Sequence, residues 1–432
     1  MLTSRLATMM FLQYAIWGVW LPILSRYLQA SPAEGGLGFT PFQVGLIGGV
    51  GGAIGAVTAP FLAGQFADRY FPTEKFLAFL LFAGGAVKFF TAYQTTFTAW
   101  LVLSMVYSVL FMPTLALTNS LSFAHLDDPE RRFPLVRVWG TVGWIAASWI
   151  FPLVWLLKDV GFQALPPFYS GTEVPDAVSR LVDALKWSGV GAMIYAVFAF
   201  FCLPHTPPKR DGVEKLAFAK AFGLLTKPSF LILVLASLPI AVIHQIYFIQ
   251  TGPYFGDVLG LGASQIGPAM TIGQFAEIAV MVLTGWLLKR LGFRWVITLG
   301  ALAYFLRYAI FASTFLPTSV IVASQAIHGL CYACFFAAAF IYVDRIAPED
   351  VRHSAQTVFG IIILGVGPVL SSYVLGGLEG MLPHDSWPID YPRLWAVLSG
   401  VGLVTALFFA LFFRDASESE AVLESEPAAA DA

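Results

Sequence analysis

From Ser229 to Gln250 the chain reads SFLILVLASLPIAVIHQIYFIQ, without a single Asp, Glu, Lys or Arg. A run of about 20 such residues is what a helix needs to cross the ~30 Å hydrocarbon core of a bilayer. Inside that core no water is present to satisfy backbone N–H and C=O groups, so only a helix or a closed barrel can cross. Runs of this kind recur along the chain, near residues 6–28, 42–66, 75–93, 98–124, 137–157 and 184–204, then 229–250, 264–288, 294–313, 318–343, 354–377 and 392–413. They predict an all-α membrane protein of twelve transmembrane helices in two six-helix bundles. The first run is too long for the apolar core of a signal peptide and is expected to be a mature membrane helix.

Composition agrees with a lipid solvent. Charged residues make up 12% of the 432 positions, against roughly 25% in soluble domains. A net charge of −2 provides no basic footprint for nucleic acid. Three cysteines are present; Cys331 and Cys334 form a C-x-x-C inside an apolar run, where packing is the better reading than redox or metal chemistry. There is no G-x-x-x-x-G-K-[ST], H-E-x-x-H or G-x-S-x-G, so an enzyme, a hydrolysable-nucleotide motor and a bound cofactor or metal are not expected. The glycine-dense GGVGGAIG from Gly48 lacks the preceding strand of a dinucleotide fold, and is expected to let helices approach closely.

The organisation predicted is an N-terminal bundle over 1–204, a basic linker over 205–228, a C-terminal bundle over 229–413 and a disordered acidic tail over 414–432. Lys209, Arg210, Lys215, Lys220 and Lys227 lie in the linker. Positive loops are retained in the cytoplasm, and most Lys and Arg residues fall on the side of the linker and the termini, so both termini are expected to be cytoplasmic. The opposite side carries Arg26, Lys158, Arg180, Lys186 and Arg393. A duplication is faintly visible: the QVG of PFQVGLIGG from Pro41 matches the QIG of SQIGPAM from Ser264, each opening the second run of its half. The loop 158–183, with Pro166, Pro167 and Gly171, reads as a surface excursion with at most a short helix.

Ionisable groups inside the spans carry the functional signal, because each costs at least ~2.5 kcal/mol in hydrocarbon unless it faces a bundle interior or a wet cavity. They are Arg137, Glu277, Arg307 and Lys88, with His244 and His328 as titratable additions. Lys88 lies near a helix end and is expected to snorkel. Glu277 follows Gln274 by three residues, on one helical face; it is a proton carrier or hydroxyl ligand, or else a structural partner of Arg137 or Arg307. Thr141 lies one turn beyond Arg137. Gln13, Trp17 and Trp20, then Thr118, Asn119 and Ser122, then His244, Gln245, Tyr247 and Gln250 add amides and aromatic rings. Such a lining suits a flat hydrogen-bonding solute such as a nucleoside, and a sugar equally well.

FLQYAIWGVW from Phe11, FMPTLALTNSLSF from Phe111, FPLVRVWGTVGW from Phe133, the Q-x-x-E of Gln274 and Glu277, FLRYAIF around Arg307 and APEDVRHSAQ from Ala347 resemble the nucleoside/proton symporter family of the major facilitator superfamily. The resemblance implies nucleoside uptake driven by protons in a cell membrane, with no cofactor. It places substrate contacts on Arg137, Thr141, Gln245, Phe248, Gln274, Glu277, His328 and Tyr332. Where the family has an acid after the aromatic, this chain has Ala333, and Phe248 replaces an amide. Three readings follow: Glu277 carries the proton alone, which we prefer; the protein is a facilitator; or the substrate is not an ordinary nucleoside. GQFADRY from Gly64 resembles the superfamily's cytoplasmic turn, giving Asp68 and Arg69, with Arg307, as structural or gating candidates. A sugar symporter on the same fold and a non-transporting membrane sensor are the rival readings. The protein is expected to work as a monomer.

Overall fold

The computed structural model describes residues 2–60, 62, 70–162, 169–208, 223–348 and 352–415. Asp68 and Arg69, most of the basic linker and the acidic tail lie outside the described residues. Among the described residues ten helices are long and apolar enough to cross a membrane: Leu2–Gln29, Pro41–Pro60, Phe97–His125, Arg131–Trp155, Ala177–Cys202, Pro228–Asp257, Ala263–Ala312, Thr318–Ile346, Ser354–Met381 and Tyr391–Phe412. The Ala263–Ala312 segment is two arms joined at Gly292, whose φ of 73° is left-handed and suited to a residue without Cβ. A further nineteen-residue helix, Thr73–Thr91, carries Glu74, Lys75 and Lys88.

The described residues form two compact units. One gathers the first half of the chain together with His244–Ile272 and Leu364–Tyr391; the other gathers the remainder of the second half. The unit boundaries therefore fall inside helices.

In the first unit the glycines of Pro41–Pro60 allow backbone-to-backbone packing. A Cβ at Gly49 would collide with Pro368 O and Ser372 Oγ, and one at Gly45 would sit 3.2 Å from Ser372 Cα. Ser372 Oγ–H donates to Gly45 O at 2.8 Å, and Ser108 Oγ–H to Gly52 O at 2.9 Å. These bonds replace the side-chain interdigitation of a water-soluble core.

The duplication seen in the sequence reappears as hydrogen bonding. Gln43 Oε1 accepts from Thr40 N–H at 3.0 Å, and Thr40 Oγ1 accepts from Gln43 N–H at 3.3 Å, which is a capping box. Gln265 Oε1 accepts from Gly262 N–H at 3.1 Å. The glutamine of each motif thus satisfies an orphan donor at the start of its helix.

The described residues of the 158–183 loop are tied together by a strand pair and side-chain hydrogen bonds. Gly161–Phe162 pairs antiparallel with Tyr169–Ser170, and Asp159 accepts from Thr172 N–H at 2.6 Å, which lowers its carboxyl pKa. Glu173 accepts from Ser264 N–H at 2.7 Å and from its hydroxyl at 2.5 Å, seating a carboxylate at the N-terminus of Ala263–Ala312. Tyr169 O–H donates to Ser264 O; burial and the neighbouring Glu173 raise its pKa, so it stays a donor.

The far end of the first span is clamped to Pro228–Asp257. Arg26 pairs with Asp257 and, at 3.2 Å, with Glu34. Tyr391 O–H donates to Asp257 Oδ2 at 3.3 Å. Gln29 Nε2–H donates to Ile249 O at 3.2 Å. Beside it Gln250 is 0% exposed, and neither amide atom has a hydrogen-bond partner among the described residues. An unsatisfied buried amide opposes this conformation, whereas an apolar isostere does not. Gln250→Leu is therefore expected to raise stability by about 1–2 kcal/mol and to slow transport by favouring this conformer. Thermal unfolding in detergent beside uptake in vesicles checks both; a lowered melting temperature would show that the amide is satisfied in the folded protein.

The second unit is built on aromatic residues. Tyr304, Tyr308, Phe311 and Trp395 are fully buried, with Tyr308 and Phe311 5.3 and 5.0 Å from Trp395 between ring centroids. Ser399 Oγ–H donates to Phe305 O at 2.8 Å, and Arg294 Nε–H to Ala410 O at 2.8 Å.

Candidate functional site

In the first unit Arg137 lies on the Pro129–Trp155 helix, eight residues after its start, and is half-buried. Its guanidinium carbon stands 4.1 Å from the centroid of the Tyr14 ring, a cation–π contact. Gly140 opens the space: a Cβ there would lie 2.6 Å from Tyr14 Cδ2 and 2.9 Å from Arg137 Nη1. One turn on, Gly143 admits the backbone carbonyl of Phe11. Tyr14 continues into an aromatic group, with Trp17 6.2 Å away and Phe111 and Trp144 5.6 and 5.4 Å from Trp17. Thr141 is half-buried on the same helix.

Gln13 Nε2–H donates to Thr114 Oγ1 at 2.7 Å. Thr118 and Ser122 donate to carbonyls of their own helix, Leu115 O at 3.0 Å and Thr118 O at 2.8 Å, so their hydroxyl protons are spent locally. Gln245 is half-buried, its Nε2 facing Gly48, where a Cβ would approach to 3.4 Å. Phe248, where the family resemblance implies an amide, presents its ring edge-on to His244 at 5.1 Å.

Lys88 departs from expectation. It does not snorkel: it is 4% exposed, with Nζ 3.4 Å from the Trp20 ring centroid and 3.8 Å from that of Tyr107. Two π-faces take the place that interfacial water would have had.

In the second unit the Thr318–Ile346 span leaves α-geometry at the candidate residues. The turn tightens over Ser324–Ile327 and widens over Cys331–Ala337, a departure that often marks a functional segment. Arg307 is 0% exposed; its Nη1 lies 2.9 Å from His328 Nδ1 and its Nη2 donates to Gln325 Oε1. His328 is 1% exposed, and Ala333, Cys331 and Cys334 are fully buried. Tyr332 is exposed by 38%, its ring 6.1 Å from Phe336.

Gln274 and Glu277 are half-buried on the first arm of Ala263–Ala312. Gln274 Oε1 is enclosed and has no hydrogen-bond partner among the described residues. Two glycines bring this arm against His328. A Cβ at Gly273 would lie 3.1 Å from His328 Cδ2, and one at Gly329 would lie 2.5 Å from Ala276 C and 2.7 Å from Glu277 N.

Of the residues singled out in the sequence, Arg307 and His328 are thus in contact, and the backbone of the Gln274–Glu277 turn closes on the residue after His328. Arg137, Thr141, Gln245 and Phe248 lie in the first unit. Sequence reasoning missed Tyr14 as the partner of Arg137 and Gln325 as a partner of Arg307. The signal for Gln325 was available, since it precedes His328 by three residues on the polar side of an apolar run.

A multi-pass helical membrane protein with cationic, amide and carboxylate side chains held inside its spans, and with a duplicated helix motif, belongs to the class of secondary transporters. The sequence model described as "Nucleoside H+ symporter" matches residues 1–418, and the chain belongs to that family of proton-coupled nucleoside importers. It is 33% identical over 426 residues to "Putative nucleoside transporter YegT" of Escherichia coli (strain K12), covering 96% of this chain and 94% of that one. It is 27% identical over 435 residues to the xanthosine permease of the same organism, covering 96% of each. The fold is similar to that of the crystal structure of the nucleoside transporter NupG, with a TM-score of 0.79 at 24% identity over 96% of this chain and 99% of that one.

Proposed function

We propose that this chain imports nucleosides by alternating access, with Glu277 as its sole proton-coupling group. In this reading twelve spans form two six-helix bundles over 1–204 and 229–413, both termini are cytoplasmic, and a monomer suffices. The residues assigned to substrate binding are Arg137, Thr141, Gln245, Phe248, Gln274, Glu277, His328 and Tyr332. Tyr14, Phe248 and Tyr332 offer π-faces to a base, and Arg137, Gln245, Gln274 and Glu277 offer hydrogen bonds to base or ribose. The observation that carries the coupling role is the burial of Ala333: the position after Tyr332 is non-titratable and has 0% exposure, while Glu277 stands on a turn packed beside His328.

Protonated Glu277 is neutral and can donate; ionised Glu277 accepts only. A change of charge in a low-dielectric interior alters the relative free energies of the two access states, which is what coupling requires. The sugar-symporter rival separates by competition. Uptake of labelled uridine is expected to fall with unlabelled nucleosides and to be unaffected by hexoses and disaccharides at equal concentration. Competition by a sugar with none by nucleosides would replace this reading.

A further inference from the structure

We infer that Ser148 is a positioning residue for transport: it holds the joint of the first span, and that joint links the Arg26–Asp257 clamp to the Arg137–Tyr14 contact. The inference rests on the alternating-access reading, which also supplies uridine as the ligand. The first span is two arms, Leu2–Gly18 and Leu21–Gln29. Between them Trp20 has a φ of −116°, far from the roughly −63° of a continuous helix. Pro22 accounts for the break. It has no N–H to donate to the carbonyl four residues earlier, that of Gly18, and its ring crowds that oxygen. In a bilayer such a freed carbonyl is tolerated where a neighbouring helix supplies a donor. Ser148 Oγ–H, on the helix that carries Arg137, donates to Gly18 O at 2.9 Å, and Ser148 is 3% exposed.

Arg137 and Ser148 lie about three turns apart on one helical face. Down that face Arg137 meets Tyr14 at 4.1 Å, Trp144 meets Trp17 at 5.4 Å, and Ser148 meets Gly18. A Cβ at Gly18 would lie 2.8 Å from Trp144 Cα, so the two backbones touch at the joint. Two other helices hold it as well: Lys88 Nζ lies 3.4 Å from the Trp20 ring centroid, and Ser188 Oγ–H donates to Ile16 O at 2.5 Å. Beyond the joint, the second arm carries Arg26 and its pair with Asp257. The bend is thus fixed by side chains of its neighbours, where a straight helix would use its own ladder. Ser148 ties the pivot of the clamp arm to the helix that presents Arg137, so a shift of that helix on ligand binding reaches the clamp.

The test uses the full-length protein in lipid nanodiscs with Ser25→Cys as parent, alkylation by an impermeant maleimide being read at that site by mass spectrometry. Ser148→Ala leaves Gly18 O without its donor in this conformation, and labelling is expected to accelerate about tenfold. Pro22→Ala restores a backbone N–H for Gly18 O, so adding Ser148→Ala to it is expected to change the rate by less than about threefold. A packing defect at Ser148 would persist in the Pro22→Ala background, so the cycle isolates the hydrogen bond. Equal acceleration in both backgrounds, or none in Ser148→Ala alone, overturns the inference. A second measurement does not depend on how Ser148→Ala folds. Uridine binding, followed by isothermal titration, is expected to change the labelling rate of the parent at least about threefold, and that response is expected to be lost in Pro22→Ala, whose span runs unbroken through the joint. Bound uridine that leaves the parent's labelling unchanged, or a response that survives in Pro22→Ala, overturns the link between joint and site. A parent protein that binds no uridine sinks the nucleoside reading instead, and the ligand-free comparison of Ser148→Ala in the two backgrounds still decides the joint.

Discussion

Arg26→Ala should release the clamp at the far end of the first span and shift the protein away from the conformation described here. The pair it breaks is largely enclosed, with Arg26 and Asp257 side chains 11% and 16% exposed. Removing one partner leaves the other charge poorly solvated; buried pairs cost 3–5 kcal/mol when broken this way, and the residual exposure reduces that to about 2–3 kcal/mol here. A shift of that size changes the balance of two conformers about 30- to 150-fold. Glu34, more than half exposed, cannot replace Asp257 inside the seam. The measurement is alkylation of a cysteine introduced at Ser25, which packs by Gly252 with Oγ 3.0 Å from the position of a Cβ there, by a membrane-impermeant maleimide. Labelling should accelerate in Arg26→Ala and in Asp257→Ala, and the double variant should lose less than the sum of the two, because no orphan charge remains. Unchanged labelling in both single variants would remove the pair from any gating role.

Arg137→Lys is expected to raise the Kd for uridine about 10- to 100-fold with charge conserved, since lysine lacks both the planar donor fork and the stack on Tyr14. Gly140→Ala should act in the same direction without touching either residue. Its methyl would fall 2.6 Å from Tyr14 Cδ2 and 2.9 Å from Arg137 Nη1, so the ring or the guanidinium must move. Isothermal titration of both variants checks the pair. Native affinity in both would remove Arg137 from substrate binding.

Helix positions were legible because the physics behind them is local: about 20 residues without charge can satisfy their backbone in lipid only as a helix. The repeat was legible for a similar reason, since Gln43 and Gln265 each cap their own helix by accepting from the N–H three residues upstream. Contacts between distant parts of the sequence were less so. Arg26 and Asp257 are 231 residues apart, and nothing in either neighbourhood names the other. Lys88 read as an interfacial lysine because its helix end was visible, while the rings of Trp20 and Tyr107 that enclose it come from other spans. The irregular turns of Thr318–Ile346 contain no proline or charge to announce them. Gly140 and Gly273 were unremarkable in a glycine-rich chain until the side chains seated on them, Arg137 and His328, were seen. Arg307 and His328 were each identifiable as buried polar groups; that they touch is a tertiary fact.

The central claim is that one carboxylate couples nucleoside movement to protons. It is tested most directly by uridine uptake into proteoliposomes with and without an inward proton gradient, comparing wild type with Glu277→Gln. Wild type is expected to accumulate uridine above its external concentration only when the gradient is present. Glu277→Gln, an isostere locked in the uncharged form, is expected to lose that accumulation while still exchanging internal for external uridine, since exchange needs no net proton transfer. Gradient-driven accumulation that survives in Glu277→Gln would contradict the account and place the coupling proton on another group.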